Sequence, residues 1–364
     1  MIKTKMVIFW VVALLLIPGI QAQNIPNKSP WDWLQELVLI PGVSGKEGKV
    51  ADTIQKALPP GFEVKRDDSH NLWFTKGAGK PHIVFVAHTD EIGFLVDKIT
   101  PSGRLTVKGR GGFFPKMYEG HAVHIYTSRG RIEGVVVPRP KGKEDNISPY
   151  QMSDVEIYLG VSSGEEALEL GVAEGDSVTI KKKLIFLRPD LLCTRAVDDR
   201  AGCAVLLAAA WRIEWDKVEG KTVSFVWDVQ EEIGLIGASR MAPHLQGDIV
   251  FPVDTFVSSD SPLDDKRFAY LPLGAGAVIR AIDSSNITPY PFIHRVRLIA
   301  EKSAIPVQLG NTRGGNDGSV FVPEGAVDIP LSWPGTYSHS FIEKIHKQDL
   351  EALTDLVIAL VRDW

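Results

Sequence analysis

Cysteine is scarce in this chain, whose 364 residues include only Cys193 and Cys203. Two cysteines cannot build a disulfide framework, and a chain of this length buries a large core without one. A single disulfide between Cys193 and Cys203 stays open at this stage, because its formation depends on geometry. The alternative for Cys203 is a small apolar side chain packed within a buried helix.

An excess of basic charge is also lacking. The 40 Lys and Arg residues are outnumbered by 45 Asp and Glu residues, which gives a formal net charge of −5. No basic patch indicates nucleic-acid binding, and no run of like charges indicates a disordered tail. The sequence also has no internal repeat and no low-complexity tract. With 44% hydrophobic and 23% charged residues, the composition is that of a globular enzyme, and the length favours two domains.

The N-terminus has the pattern of a secretory signal peptide. Lys3 and Lys5 precede an apolar run from Val7 to Ile17, and a helix-breaking Pro18-Gly19 and a small residue, Ala22, follow. The apolar run is too short for a membrane span. We therefore predict a signal peptide over residues 1–22 and export to the periplasm or the extracellular space. No stable membrane association is expected after cleavage, and the alternative is an uncleaved N-terminal anchor.

Alternating helix and strand patterns flank a middle segment of different character. Apolar periodicity predicts helices before residue 60 and again over 199–213 and 347–362, with buried strands over 83–87, 222–229 and 248–253. Residues 97 to about 189 instead show short alternating runs separated by Gly and Pro, which predicts a β-rich module. The fold class is therefore α/β, with one catalytic domain over 23–96 and 190–364 and an inserted domain over 97–189.

Several potential metal ligands follow predicted strands. His88, Glu232 and Asp254 each come shortly after an apolar run, and active groups in open α/β sheets gather at the carboxyl ends of strands. Asp198 opens a predicted helix, and His339 lies in a later loop. This oxygen and nitrogen set contains no cysteine and suits two divalent ions bridged by one carboxylate, with a metal-bound water as nucleophile. The residues thus predict a metal-dependent hydrolase.

Each of these motifs alone leaves a second interpretation open. Asp90 is two residues beyond His88, so an extended backbone places both on one side and lets Asp90 hold the ring of His88. Glu231 and Glu232 point opposite ways in an extended segment, so one can bind metal while the other faces substrate. The His88 and Asp90 pair could also be unrelated surface residues, and Glu231 and Glu232 could lie in a solvated acidic loop. Asp198 also suits an ordinary helix cap.

Taken together, four phrases resemble the M42 family of dinuclear metal aminopeptidases, the glutamyl aminopeptidase and TET-like peptidases of the MH clan. They cover residues 87–96, 196–204, 229–238 and 337–340, the last followed by Glu343. Residues 155–176 are similar to the dimerisation domain of that family. The resemblance implies a mixed-sheet zinc-peptidase catalytic domain of the phosphorylase/hydrolase-like kind, and a homo-oligomer, a dimer at least, formed through the insertion. There, Phe113 and Phe114 offer apolar residues suited to an interface.

The resemblance also implies a role for each matching residue. Five side chains would bind the metals, namely His88, Asp198, Glu232, Asp254 and His339. Asp198 would bridge both ions, with zinc expected and cobalt or manganese as alternatives. Glu231 would be the general base that takes a proton from a metal-bridging water and delivers it to the leaving amine. Asp90 would orient His88, and a cis peptide bond would join Asp198 to Asp199.

The implied substrates are peptides with a free N-terminus, from which the first residue is released. The segment Gly314–Gly318 departs from the family pattern, which leaves the preference for that residue open, and Thr336 replaces a usual arginine. The alternative enzyme is a related clan carboxypeptidase or amidohydrolase that uses the same dinuclear site. A glycosidase that pairs Glu231 with another acid would need no metal. A non-enzymatic peptide-binding module is disfavoured, because every expected ligand is present.

Overall fold

The protein is described by a computed structural model over residues 28–112, 114–138, 151–258 and 270–364. The predicted signal peptide over residues 1–22 lies outside the described residues, and so does Phe113. Within the described part, an α/β body is built on a mixed β-sheet, and a closed β-barrel is inserted into it. The predicted α/β class with a mixed sheet is confirmed.

Helices and strands alternate through most of the body. The helices are α1 (Pro30–Leu37), α2 (Gly48–Ala57), α3 (Gly164–Glu169), α4 (Val197–Arg212), α5 (Ile236–Leu245), α6 (Tyr290–Lys302) and α7 (Lys347–Asp363). The strands up to the end of the barrel are β1 (Lys65–Arg66), β2 (Leu72–Gly77), β3 (His82–His88), β4 (Gly93–Ile99), β5 (Leu105–Arg110), β6 (Ala122–Thr127), β7 (Gly130–Val136), β8 (Glu156–Tyr158) and β9 (Ser177–Ile180). Those that follow are β10 (Ile185–Arg188), β11 (Leu191–Thr194), β12 (Thr222–Asp228), β13 (Ile249–Val257), β14 (Ala277–Ile282), β15 (Val307–Asn311), β16 (Val327–Asp328), β17 (Leu331–Gly335) and β18 (Glu343–His346).

The main sheet has the order β1-β2-β12-β3-β13-β17-β14-β15, with β16 beside β13. Its centre is parallel, because β3 pairs in parallel with both β12 and β13, and β13 with β17. Strands β2 and β14 are antiparallel to their neighbours β12 and β17. A parallel centre directs the ends of β3, β12, β13 and β17 toward the same edge of the sheet.

The central strands are buried on both faces, which explains their continuous apolar sequences. Alternate residues of β3 enter different cores, with Phe85 facing the helices α1, α4 and α7 and Val86 facing α5. Helix α4 has no polar stripe, because nearly all of its residues from Val197 to Ala210 are buried between the sheet and the neighbouring helices. This packing fixes the first turn of α4 at the edge where the strands end.

The inserted module is a closed barrel in the order β4-β5-β8-β7-β6-β9, whose strands run from Gly93 to Ile180. It has its own core, which includes Phe94, Leu105 and Val178. Strand β10 lies within the predicted insertion range of 97–189, but it pairs with β11. Since β11 also pairs with β18, these three strands form a separate small sheet. Strand β11 ends shortly before Asp198, and β18 begins shortly after His339.

The structure decides one alternative that the sequence left open and contains one strand that the sequence did not predict. Cys193 and Cys203 are both buried and unpaired, so the alternative of a disulfide between them is not realised. Strand β15 was not predicted, because the segment Val307–Asn311 is only partly buried at the sheet edge and has a weak apolar pattern. No helix among the described residues combines the length and apolar composition of a membrane span.

Candidate active site

The candidate site lies where four parallel strands of the main sheet end. His88 is the last residue of β3 and is aligned with Asp228, the last residue of β12. Glu231 and Glu232 follow β12 in a short 3₁₀-helix. Gln230, the residue before this helix, has a left-handed backbone at φ 58°. Asp254 lies near the end of β13, and His339 follows β17 in a loop. Each of these residues is therefore placed by the end of a buried strand.

The five predicted metal ligands lie together at this edge. The Nε2 atom of His88 is 3.3 Å from Asp198 Oδ1 and 4.0 Å from Asp254 Oδ1. The Nε2 atom of His339 is 3.5 Å from Asp198 Oδ2 and 3.3 Å from Glu232 Oε2. Asp198 thus presents one oxygen to each histidine. The ligands divide into two groups that share Asp198, which is the arrangement that a bridging carboxylate requires.

Glu231 lies beside these groups without belonging to either. Its Oε2 atom is 3.9 Å from His88 Nε2, and its side chain lines the open side of the site. Burial raises the pKa of Glu231 well above its usual range, and Glu232 and Asp254 add to this effect while His88 opposes it. The position suits a proton-transfer group that faces substrate.

Asp90 connects three parts of the site. Its Oδ1 atom lies 3.3 Å from His88 Nδ1 and accepts a hydrogen bond of 3.0 Å from the backbone N–H of Glu231. Its Oδ2 atom accepts hydrogen bonds from the Ser44 hydroxyl at 2.6 Å and from the backbone N–H of Glu232 at 3.2 Å. Asp90 therefore lies against the ring of His88, as expected for a residue that orients it, although His88 Nδ1 makes no well-aligned hydrogen bond. Asp90 also holds the backbone of the two adjacent glutamates, and this contact was not predicted from the sequence.

The Asp198–Asp199 peptide bond is cis, as the family resemblance implies. Atoms close enough to share one ion occur in two sets, namely His88 with Asp198 and Glu232, and His88 with Asp199 and Asp254. However, Asp199 Oδ2 accepts a hydrogen bond from the backbone N–H of His88 at 3.1 Å, and its Oδ1 atom accepts one from the N–H of Gly202 at 3.0 Å. Because both oxygens already hold backbone amides, Asp198 is the better ligand.

Arg280 is a buried cation at the site that sequence reasoning missed. Its Nη2 atom donates to Asp254 Oδ2 at 2.9 Å, its Nε donates to the Ser332 hydroxyl at 2.8 Å, and its Nη1 donates to the Gly315 carbonyl at 2.8 Å. Burial raises the pKa of Asp254 to about 6, although Arg280 opposes the shift. A charged residue within the apolar strand β14 was the available signal.

The loop that carries His339 is joined to Asp198 by side-chain contacts. The Ser338 hydroxyl donates to Asp198 Oδ2 at 2.9 Å. His339 itself has a left-handed backbone at φ 58°, a conformation that the surrounding structure must hold in place. Neither feature has a signal in the sequence, because each depends on a contact between distant segments.

The donor set fits divalent metal ions. The carboxylates of Asp198, Glu231, Glu232 and Asp254 gather within a few ångströms of two imidazoles, and such a cluster repels itself without cations. The two histidines offer their Nε2 atoms toward the centre of the cluster, while the carboxylate of Asp90 lies 3.3 Å from the far ring nitrogen of His88. Nitrogen and oxygen donors in this arrangement suit zinc and similar ions.

A cavity of about 310 Å³ opens beside these ligands. Its walls away from the ligands include Thr312, Arg313 and Val257 from the body and Phe114 from the barrel. A methyl group built on Gly112 would lie 3.8 Å from His339 Nδ1, so the barrel loop before Phe114 borders the ligand itself. The inserted barrel therefore forms one wall of the site.

Comparison with known proteins matches residues 71–356 to the M42 glutamyl aminopeptidase family. The TET1 peptidase of Pyrococcus horikoshii, which can assemble into a tetrahedron or a large octahedral shell, superposes with a TM-score of 0.85 at 35% identity, covering 92% of this chain and 100% of that one. The glutamyl aminopeptidase of Lactococcus lactis is 27% identical over 85% of this chain and 89% of its own length. The lysyl aminopeptidase of Pyrococcus furiosus is 27% identical over 92% of this chain and 97% of its own length.

Proposed function

This chain belongs to the M42 glutamyl aminopeptidase family, and from that premise we propose that it releases N-terminal residues from peptides with two divalent metal ions bound by His88, Asp198, Glu232, Asp254 and His339. The observation that carries the proposal is the position of Asp198, whose two oxygens face two different histidines. A related carboxypeptidase or amidohydrolase stays the alternative for the same set of ligands.

The chemistry is divided between the ions and the side chains. When bound, the two ions polarise the scissile carbonyl and lower the pKa of the nucleophilic water. Glu231 accepts a proton from the attacking water and delivers it to the leaving amine. Asp90 keeps His88 in one orientation and holds the backbone of Glu231, so the base stays aligned while it gains and loses a proton.

The preferred N-terminal residue is not fixed by family membership. One relative is named for glutamyl and another for lysyl residues, which carry opposite charges. In this chain the cavity beside the ligands combines Arg313 with the apolar side chains of Val257 and Phe114. Substrate preference therefore has to be measured on the protein itself.

Assembly and export belong to the same proposal. The TET1 relative assembles into large shells, and this supports a homo-oligomer for the present chain. Export is supported by the pattern of Lys3, Lys5 and the apolar run over 7–17 in the sequence. Mass spectrometry of protein recovered from outside the cytoplasm should show a mature N-terminus near Gln23, and a retained Met1 would contradict cleavage.

The activity is tested with a panel of aminoacyl-arylamides. We expect hydrolysis that a chelator abolishes and that zinc, cobalt or manganese restores, because the proposed chemistry needs the ions. Peptides blocked by an N-terminal acetyl group are the matched control and should not be cleaved. Cleavage of blocked peptides, or activity that depends on a free C-terminal carboxylate, would favour the alternative enzyme. Full activity after removal of all metal would contradict the proposal.

A further inference from the structure

A buried ion pair lies directly behind the candidate metal ligands. Arg195 and Glu343 are each 3% exposed, and the guanidinium Nη1 of Arg195 contacts Glu343 Oε1. Strand pairing brings them together, because Thr194 at the end of β11 is aligned with Glu343 at the start of β18. A buried ion pair is tolerated when its remaining donors and acceptors are also satisfied. The partners that satisfy them show what this pair holds.

The carboxylate oxygen of Glu343 that does not contact Arg195 holds the beginning of α4. Its Oε2 atom accepts hydrogen bonds from the backbone N–H of Val197 at 2.6 Å and from that of Asp198 at 3.1 Å. These are amides of the first turn, which have no acceptor within the helix itself. Glu343 thereby fixes the backbone of the residue that faces both histidines.

The remaining donors of Arg195 hold two other segments. Its Nη1 atom donates to the Ser340 carbonyl at 2.9 Å, and its Nη2 atom donates to the Ile92 carbonyl at 3.2 Å. Ser340 is adjacent to His339, and Ile92 directly precedes the first barrel strand. One ion pair thus joins the backbone of Asp198 to the loop of His339 and to the entry of the barrel.

The two groups of ligands differ in how they are held. In the group of His88, Asp254 and the shared Asp198, Arg280 holds Asp254 while Asp90 lies against the ring of His88. In the other group, Glu232 is held through its backbone by Asp90, whereas His339 lies on a loop whose backbone is bound to Arg195. Loss of the ion pair would therefore loosen two of the three ligands of the second group, Asp198 and His339, but only the shared Asp198 in the first.

We propose that Arg195 and Glu343 are positioning residues that set the metal affinity of the group formed by Asp198, Glu232 and His339. This inference rests on the proposed function, since it presupposes two metal positions. Neither residue binds an ion or touches substrate. Both act by fixing the distance between the backbones of Asp198 and His339.

The test compares metal affinity in Glu343→Gln with that of the wild type by titration against a competing chelator. A neutral amide keeps the volume but weakens the pairing with Arg195 and turns either an oxygen or an NH₂ group toward the amides of α4. Loss of such an outer contact weakens metal binding by about 10–100-fold. We expect that loss for one of the two ions and a clearly smaller change for the other.

Asp349→Asn is the matched control for the loss of a buried carboxylate. Asp349 is also fully buried and also accepts two backbone amides, from Gly274 at 2.7 Å and Gly276 at 2.8 Å, but it contacts none of the proposed ligands. Its variant should keep both metal affinities, and a denaturant titration at the same pH shows that it is folded. If Glu343→Gln does not fold, Arg195→Lys replaces it, since lysine keeps the charge but lacks the planar fork that reaches both carbonyls.

Two results would overturn the inference, and only one of them would also overturn the proposed function. Two bound ions in the wild type, with both affinities unchanged in the folded Glu343→Gln and Arg195→Lys variants, would overturn the inference alone. A wild type that binds fewer than two ions would overturn the proposed function together with it. Selective weakening of one ion, absent from the Asp349→Asn control, supports it.

Discussion

Adjacent glutamates with separate proposed tasks are the main feature of this site at the scale of single residues. Glu232 Oε2 faces His339, whereas Glu231 Oε2 faces His88 from the open side of the cavity. The short 3₁₀-helix that follows β12 separates the two side chains, and Asp90 holds both backbone amides in place. A change of one glutamate should therefore leave the position of the other intact.

Replacement of each glutamate by glutamine tests this division of tasks. Glu231→Gln should keep both metal ions and lower kcat by about 10²–10⁴-fold. Glutamine keeps the geometry of the site but cannot transfer the proton. Glu232→Gln should instead bind one ion more weakly. Elemental analysis of the two purified variants, combined with kcat, separates these effects. Metal loss in Glu231→Gln with full retention in Glu232→Gln would reverse the assignment.

The sequence predicts the candidate ligands, which the structure brings together, better than it predicts the residues that contact them. His88, Asp198 and Glu232 lie within local phrases that resemble a known family, so each could be named without a structure. Arg280 and Ser338 could not, because their contacts with Asp254 and Asp198 join segments that are distant along the chain. Such contacts become visible only when the strand order is known.

At the scale of helices and strands, the first turn of α7 supports a loop that carries none of the proposed ligands. Asp349 in that turn is buried and accepts the backbone amides of Gly274 and Gly276. Burial raises its pKa to about 7, although these hydrogen bonds oppose the shift. The carboxyl group thus stays protonated in the folded protein at pH values where the unfolded chain has released the proton.

This shift predicts a pH dependence of the stability. Because the folded pKa is raised, the contribution of Asp349 is fully present below the unfolded pKa, near 4, and is lost as the pH rises to about 7. The full loss is on the order of 4 kcal/mol. Denaturant titrations from pH 4 to pH 8 should show a flatter profile for Asp349→Asn than for the wild type. Parallel profiles for the two proteins would contradict the prediction.

Long elements with strong apolar periodicity were predictable, and their ends were not. The expected helix over 347–362 is α7 over Lys347–Asp363, and the expected strand over 83–87 is β3 over His82–His88. Helix α4 was expected from Asp199, and regular helix does begin directly after that residue, but it is preceded from Val197 by a turn with non-helical backbone at Asp198 and Asp199. This irregular turn depends on the contacts of the site, which local propensity does not contain.

At the scale of the whole molecule, the barrel borders the site and is also the proposed surface for assembly. Phe114 is 60% exposed and also lines the cavity beside the ligands. In a homo-oligomer formed through the barrel, such an apolar side chain would be covered by a second copy. Assembly and access to the site would then involve the same loop.

Light scattering tests the proposed assembly. We expect the wild type to be a dimer or larger at micromolar concentration, and Phe113→Gln together with Phe114→Gln to shift it toward monomer while the body stays folded. Leu168→Gln is the control, because Leu168 is an equally exposed apolar residue of the barrel in α3. A monomeric wild type would contradict the assembly and leave the barrel as a wall of the site.

The chain enters the barrel on β4 and leaves it on β9, and these two strands are paired neighbours, with Phe94 aligned with Val178. Directly outside them, the buried Glu91 and Lys182 form an ion pair at 2.5 Å. An insertion whose two ends meet in this way can be exchanged as a cassette without lengthening the path of the host chain. Grafting a barrel from a relative would therefore preserve the host fold while replacing the loop beside Glu232 and His339, so new substrate preferences could arise without any change in the ligands.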